Sequence, residues 1–441
     1  MRPLRVLNAS QNFYIRGGSD RYFFTLTELL ERHGHSVIPF STRQPQNEPS
    51  EWERYFPPGV NFTEPSARDL ARFIYSGQAA DSLTRLLNDH PVDVAHLHIY
   101  YGQLTGAIFA PLRAAGVPVV QTLHDFKIVC PVYSLLSHGE ICEACQGHQF
   151  WRATARRCNR GSLKRSLLST VESYVTRALG AVDAVDRFIA VSDFQRAKLA
   201  ELGVPAEKLT TIRNYADTAG IEPVREQGEY LLYFGRIERL KGIITLVEAA
   251  ARAREVPLLL VGRGEAEAEV RDLITAHGLR NVQLLGFKQG AELQQLIRGA
   301  IATLIPSEGY DNCPLAVLES YTHAKPVLGT RMGGIPELID DGLDGFVVPP
   351  GDVDALADRL SWFNSHRREA VELGLAGREK MEQRFSPEVH YEQVREVYRQ
   401  VRADERADLR EQGTALPSTA ASSTADTPFE INEPCEPVEV A

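Results

Sequence analysis

Short apolar runs alternate with amphipathic stretches along this chain, and the alternation happens twice. In the first series "LRVLNAS", "HSVIPFS", "VDVAHLH", "PVVQTLHD" and "RFIAVS" read as buried strands. Between the first two, "SDRYFFTLTELLERHGH" puts Tyr22, Phe23, Leu26, Leu29 and Leu30 on one helical face, with Ser19 as N-cap and Gly34 as the stop. A long helical segment, "SLLSTVESYVTRALG", precedes the last strand. The second series opens at "EYLLYFGRI" and runs through "PLLLVGRG", "VQLLGF", "ATLIPS" and "KPVLGT", each followed by or alternating with a helical pattern such as "KGIITLVEAAARA". Strands separated by helices, and apolar along their length, require a parallel sheet covered on both faces.

The fold class is therefore α/β, with two Rossmann-like doubly wound domains facing each other across a cleft. At 441 residues the chain is too long for one ordinary core. The turn-rich, charged stretch "NYADTAGIEPVREQG" divides it. We expect an N-terminal domain over 1–215, interrupted by an insert at 128–166, and a C-terminal domain over 216–385. A helix over 386–411 should pack back on the first domain, and a disordered acidic tail should occupy 412–441. From Gln412 onward there are five acids and no Lys or Arg. A net charge of -10 argues against a nucleic-acid partner. No run is long enough to span a bilayer, and the first residues are too soon polar for a signal peptide. The expected setting is the cytoplasm, with any membrane contact peripheral, at its inner face.

Ligands of open parallel sheets bind at the carboxyl edge of the strands, so the loops after strands carry the chemistry. "GRIERLKG" leaves such a strand with Arg236 and Lys241, two cations suited to a diphosphate. "DNCP" then opens the helix "PLAVLESYTHA", with Pro314 at its first position. The free backbone N–H groups near Cys313, Leu315 and Ala316 form an anion pocket. Asp311 and Asn312 stand just before this tip, and Glu319 lies more than a turn inside the helix. A carboxylate that deep cannot cap the helix, but it can accept hydrogen bonds from vicinal sugar hydroxyls. "TRMGGIPELI" offers Gly333 and Gly334, which let backbone approach a ligand or simply make a tight turn. In the first half Gly17 and Gly18 sit between a strand and a helix start, where amides can approach a donor phosphate or an acceptor. His124 and Asp125 directly follow an apolar strand.

The ordered set "GGSDRY", "LHD", "GRIERLKG", "VGRGE", "EGYDNCPLAVLES" and "GGIPELI" resembles the retaining glycosyltransferases of family 4, with the GT-B architecture, over about residues 1–400. The resemblance implies a hexosyltransferase of polysaccharide-biosynthesis type. The donor, a UDP- or GDP-sugar, would bind the second domain, and a glycan or lipid-linked acceptor the first. Arg236 and Lys241 match the diphosphate-binding pair. Glu319 matches the second acid of the E-x7-E motif, a ribose ligand, and Asp311 the first, one methylene shorter than the usual Glu. Transfer would run by front-face displacement, with the leaving phosphate taking the acceptor proton. His124 would orient the donor sugar or stabilise its developing charge, and Arg236 and Lys241 the leaving group. No cofactor is expected for catalysis, and no Asp-x-Asp dyad stands at a strand end. Two other readings remain: a nucleotide-sugar epimerase on the same architecture, and a non-catalytic nucleotide-sugar-binding protein.

The insert carries Cys130, Cys142, Cys145 and Cys158 within 29 residues, spaced C-x11-C-x2-C-x12-C. Four thiolates at such spacing suit one structural zinc. Four buried thiols or two disulfides are the alternatives, and a cytoplasmic setting disfavours disulfides. Basic and aromatic side chains follow over 150–165: Phe150, Trp151, Arg152, Arg156, Arg157, Arg160, Lys164 and Arg165. They suit a membrane surface or the pyrophosphate of a lipid-linked acceptor.

Overall fold

A computed structural model describes residues 2–402. The expected tail over 412–441, and the end of the segment expected over 386–411, lie outside the described residues. Two six-stranded sheets, parallel throughout, organise the chain. The first contains β1 (Arg5–Ala9), β2 (Ser36–Phe40), β3 (Val94–Leu97) and β4 (Val119–Leu123). A two-stranded hairpin, β5 (Leu136–Ser137) and β6 (Glu140–Ile141), interrupts the series inside the insert. The first sheet then closes with β7 (Arg187–Ala190) and β8 (Leu209–Thr211), in the order β2-β1-β3-β4-β7-β8. The second holds β9 (Tyr230–Phe234), β10 (Leu258–Val261), β11 (Val282–Gly286), β12 (Ala300–Ile305), β13 (Val327–Thr330) and β14 (Gly345–Val348). Its order is β11-β10-β9-β12-β13-β14.

The apolar runs are strands because both faces of each sheet are covered. Every residue of β12 and β13 is buried. Leu7, Ile38, Leu97 and Phe188 pack on one face of the first sheet. On its other face Val6, Val120 and Ile189 meet Tyr22 and Leu26 of the helix Gly18–Arg32. That second core also takes in Tyr391, Val394, Val397, Tyr398 and Val401 of the helix Pro387–Val401. The last helix of the described chain thus crosses back onto the first sheet.

Strand order reverses direction between β1 and β3 in the first sheet and between β9 and β12 in the second. Loops leaving such neighbouring strands part to opposite faces and open a crevice. The loop after β9 holds Arg236 and Lys241, and the loop after β12 runs to Pro314. Gly242 joins the two loops closely. Its φ of +69° is open to glycine, and a Cβ there would stand 1.7 Å from the carbonyl oxygen of Pro306.

Two local expectations are corrected, and one that offered two alternatives falls on its turn side. Gly17, with extended backbone, caps the first helix in place of Ser19. Pro314 occupies the N-cap of the helix Leu315–Thr322, with ψ of 117°, rather than its first turn. The third concerns Gly333 and Gly334. At Gly333 φ is +60°, and an added Cβ would stand 2.4 Å from the carbonyl oxygen of Asp311. Gly334 N–H donates to that same oxygen at 2.8 Å. The glycine pair therefore braces the Asp311–Asn312 turn, and the backbone it approaches is protein, not ligand.

Candidate active site

A cleft of about 580 Å³ is lined by Gly18, His124 and Asp125 from the first half. Arg236, Lys241, Asp311, Asn312, Cys313, Pro314 and Leu315 line it from the second half. Most of the expected donor set therefore shares one space. Gly17 lies just outside, one residue from Gly18, whose missing side chain leaves room for Leu315. Glu319 opens instead onto an adjoining pocket of about 260 Å³ beside Arg21, Tyr22 and Leu315.

Carboxylates meet both cations. Lys241 Nζ lies 2.6 Å from Asp311 Oδ2, which also accepts from the Ser307 hydroxyl at 3.1 Å. Arg236, largely exposed, reaches Glu238 at 2.7 Å. Glu319 is half-buried, and burial raises its carboxyl while Arg21, 3.4 Å away across the cleft, opposes the shift. These are partners a diphosphate and its hydroxyls would have to displace. The tip of the helix Leu315–Thr322 is fixed from both sides. Asn214 Nδ2 donates to the Cys313 carbonyl at 3.0 Å, and Asn312 Nδ2 to the His124 carbonyl at 3.4 Å. The Cys313 thiol is buried in a small apolar core and pushed up to about 12 by that burial. It serves as packing, and the residues around it, Asn312, Pro314 and Leu315, line the cleft.

His124 is held by a chain that its sequence position does not reveal. Asn8 Nδ2 donates to the Phe23 carbonyl at 3.2 Å and to the Thr27 hydroxyl at 2.9 Å. A carbonyl can only accept, so Asn8 Oδ1 is the atom facing His98 Nε2 at 2.8 Å. His98 Nε2 then carries the proton, and its Nδ1 accepts from His124 Nε2 at 3.1 Å. That leaves Nδ1 of His124 as a bare lone pair. Burial lowers the His124 imidazole to about 4 and the His98 imidazole well below its ordinary value. The ring at the cleft is neutral at pH 7, an acceptor of hydrogen bonds rather than a cation.

Asp125 lines the same cleft, and burial raises its carboxyl to about 6, against the N–H of Lys127 that it accepts at 2.9 Å. Its place after a strand assigns Asp125 no role, and no local sequence signal marks Ser307, Arg21 or Tyr310. Tyr310 donates to Glu143 of the insert at 2.9 Å, which brings the insert to the rim of the cleft.

The four cysteines of the insert are all free. Cys130 is buried, and the other three are half-buried. The Cys145 thiol is pushed up to about 12 by burial, then by the neighbouring sulfurs of Cys130, Cys158 and Cys142. Cys158 donates to the Ser137 hydroxyl, and Cys142 accepts from Arg156. Among the described residues no group of three or more His, Cys, Asp or Glu side chains is arranged as a metal-ligand set. Along 150–165 Phe150 is buried, whereas Trp151, Arg156, Arg157, Arg160, Lys164 and Arg165 are exposed. No helix among the described residues is long and apolar enough to cross a membrane.

Two family models match in tandem: "Glycosyltransferase Family 4" over residues 16–219 and "Glycosyl transferases group 1" over 217–380. The amylovoran biosynthesis glycosyltransferase AmsK of Erwinia amylovora is 29% identical over 47% of this chain and 55% of its own. The putative colanic acid biosynthesis glycosyltransferase WcaL of Escherichia coli K12 is 30% identical over 46% of this chain and 54% of its own. The chain thus spans about half the length of these curated relatives. Among solved structures, Anabaena Alr3699/HepE in complex with UDP superposes with a TM-score of 0.61 at 18% identity. That match covers 89% of this chain and 99% of the other. Sucrose-phosphate synthase of Thermosynechococcus elongatus gives 0.66 at 20% identity, covering 92% and 100%. With two parallel-sheet domains, a switch-point cleft and both halves of the family matched in order, the chain belongs to the family 4 glycosyltransferases and has their GT-B architecture.

Proposed function

We propose that this chain is a retaining hexosyltransferase that moves a sugar from a UDP- or GDP-sugar to a glycan or lipid-linked acceptor in cell-surface polysaccharide synthesis. One observation carries the reading. His124 of the first half and Arg236, Lys241 and the Leu315 helix tip of the second line one cleft. The solved relative HepE holds UDP, and AmsK and WcaL are named for polysaccharide synthesis, which favours the same class of donor and product.

In this mechanism the diphosphate lies on Arg236, Lys241 and the free amides of the helix tip, and releases Asp311 from Lys241. Asp311 and Glu319 take hydroxyls of the donor, Glu319 those of the ribose. The bond from the anomeric carbon to the phosphate oxygen breaks as the acceptor oxygen bonds to the same face. The acceptor proton passes to the departing phosphate oxygen. His124 accepts a hydrogen bond from a donor hydroxyl at Nδ1, its tautomer set by His98 and Asn8. We assign Asp125, which lines the same cleft, to orienting the attacking hydroxyl. Rate enhancement comes mainly from fixed positive charge and aligned dipoles at the leaving group.

The test is transfer of label from radiolabelled UDP- and GDP-sugars into a lipid or polymer fraction of membrane extract. Lys241→Ala and Glu319→Ala should each abolish turnover with the thermal melt unchanged. Full activity in either variant removes the donor-site assignment. Isomerised free donor in place of labelled product would identify an epimerase.

We further propose that Cys130, Cys142, Cys145 and Cys158 hold one structural zinc beside the cleft. What supports it is the C-x11-C-x2-C-x12-C spacing of four free thiols within one insert. The ligand set is not preassembled among the described residues. Metal analysis of purified protein should return zinc near one equivalent. Metal-free protein with the same melting temperature would refute it.

A further inference from the structure

We propose that the helix Leu163–Ala178, together with the helix Ala67–Ile74 beside it, forms a docking face for an anionic phospholipid bilayer. The first of these helices is turned inside out. Its buried residues are Ser166, Ser169, Thr170, Glu172, Ser173 and Thr176, all polar. Its exposed residues include Leu163, Leu167, Val171 and Tyr174, which stand at 51, 51, 36 and 40% exposure. The spacing of these four follows one helical stripe, so the apolar side of an amphipathic helix faces outward. A soluble helix buries that stripe, because hydrophobic burial drives its packing. Here the polar side is buried instead and satisfied internally. Lys127 Nζ lies 2.6 Å from Glu172 Oε2, Thr176 donates to Glu172 and Ser173 donates to the Ser169 carbonyl.

The neighbouring helix Ala67–Ile74 packs against it and has no buried residue at all. Leu70 is 42% exposed there, with Phe62 and Tyr75 exposed on either side. Trp151, 55% exposed, adjoins Tyr174, whose hydroxyl accepts its backbone N–H at 3.2 Å. Most of the exposed large apolar side chains of the described residues thus fall in this one region. Contiguous exposure of this kind marks an interaction surface.

Charge selects the partner. From Ala144 to Val171 the sequence contains no acid and six basic residues, Arg152, Arg156, Arg157, Arg160, Lys164 and Arg165. The one acid of the inverted helix, Glu172, is buried and paired inward. An apolar stripe flanked by cations fits the headgroup region of an anionic leaflet, with Leu and Trp in the acyl boundary and Lys and Arg among the phosphates. The 150–165 segment is one edge of this face, and the helix beyond it supplies the apolar part. Docking deepens the transferase reading, since it would place a lipid-linked acceptor beside the insert, but it does not depend on the donor chemistry.

The test uses the full chain and sucrose-loaded vesicles. Protein should sediment with vesicles of phosphatidylcholine plus phosphatidylglycerol, not with phosphatidylcholine alone, and salt should weaken the binding. The double substitution Leu167→Ser/Val171→Ser should lower vesicle affinity by about tenfold or more, with the melting temperature maintained, because it removes exposed apolar surface. Lys164→Glu/Arg165→Glu should do the same through charge. Equal binding to both vesicle types, no binding to either, or wild-type binding by both variants overturns the proposal. So does light scattering that shows a dimer broken up by Leu167→Ser/Val171→Ser, since a second copy would then cover the face. The thermal shift given by UDP- or GDP-sugar without vesicles should be unchanged in both variants. Wild-type protein that binds vesicles yet moves no label from a nucleotide sugar into membrane extract would sink the transferase reading alone.

Discussion

Asp125 shows how a single residue trades stability for a site. Burial raises its folded carboxyl to about 6, above the ordinary 3.8. The folded state therefore favours the protonated form. The stability it contributes is full below the unfolded value and is lost as pH rises through about 6. At pH 8 wild-type protein holds a buried charge that the unfolded chain would hydrate at no cost. Asp125→Asn removes the charge and keeps the shape, so it should stabilise the chain at pH 8 by about 2 kcal/mol, discounted for partial exposure. The gain should shrink to nothing by about pH 4, and transfer activity should fall. Paired thermal melts at the two pH values read this directly, and a gain that is the same at both would show that the carboxyl is not perturbed. His124 and Asp125 were legible as a strand-end pair in "LHD". The partners of His124 were not, because Asn8 and His98 lie in a strand and at a strand end where alternation predicts only core.

At the scale of elements, legibility tracked local signals. The β9 and β12 loops were readable because cations, a proline and a carboxylate follow apolar runs directly, and those runs fixed the strands. The glycine pair at 333–334 was readable as close approach, but the sequence cannot say what is approached, and here it is the Asp311 turn. The helices Ala67–Ile74 and Gly77–Asp89 were not anticipated. The helix Leu163–Ala178 was readable as a helix, yet its orientation was not, since periodicity does not tell which side is buried when the buried side is polar. Its anchor is the Lys127–Glu172 pair, with side chains 8 and 0% exposed. Lys127 also donates to the Pro131 carbonyl at 2.8 Å and to the Ser173 hydroxyl at 3.1 Å. Breaking one half of such a pair leaves an uncompensated buried charge. Lys127→Met should cost about 3–5 kcal/mol by denaturant unfolding. Adding Glu172→Gln should recover most of it, because the orphaned charge is then gone. No recovery in the double variant would mean that packing around Lys127, not charge, holds the inverted helix.

For the molecule as a whole, the decisive join is the return of the helix Pro387–Val401 onto the first sheet, and imidazoles line it. His390 meets the Tyr22 hydroxyl at 2.9 Å, and His96 meets the Tyr398 hydroxyl at 2.6 Å and Thr122 at 2.7 Å. His98 stacks on His96 and leads to His124. Burial lowers His96 to about 3, His124 and His390 to about 4, and His98 well below its ordinary 6.5. Each folded value is below the unfolded one, so the unfolded chain binds more protons as pH falls. The stability these groups contribute is present above 6.5 and is lost as pH drops toward about 4. The raised carboxyls of Asp125, Glu319, Asp20 and Glu31 work the other way, and the lowered imidazoles of His35, His148 and His323 add to the four at the join. Proton uptake by these buried imidazoles on unfolding should place the acid-unfolding midpoint above the range where ordinary carboxylates protonate, as followed by circular dichroism on acid titration. His390→Gln keeps a hydrogen-bonding side chain but cannot take up a proton, so it should move that midpoint to lower pH. An unmoved midpoint would assign acid unfolding to carboxylates elsewhere and leave the helix return held by Tyr391, Val394 and Val397 alone.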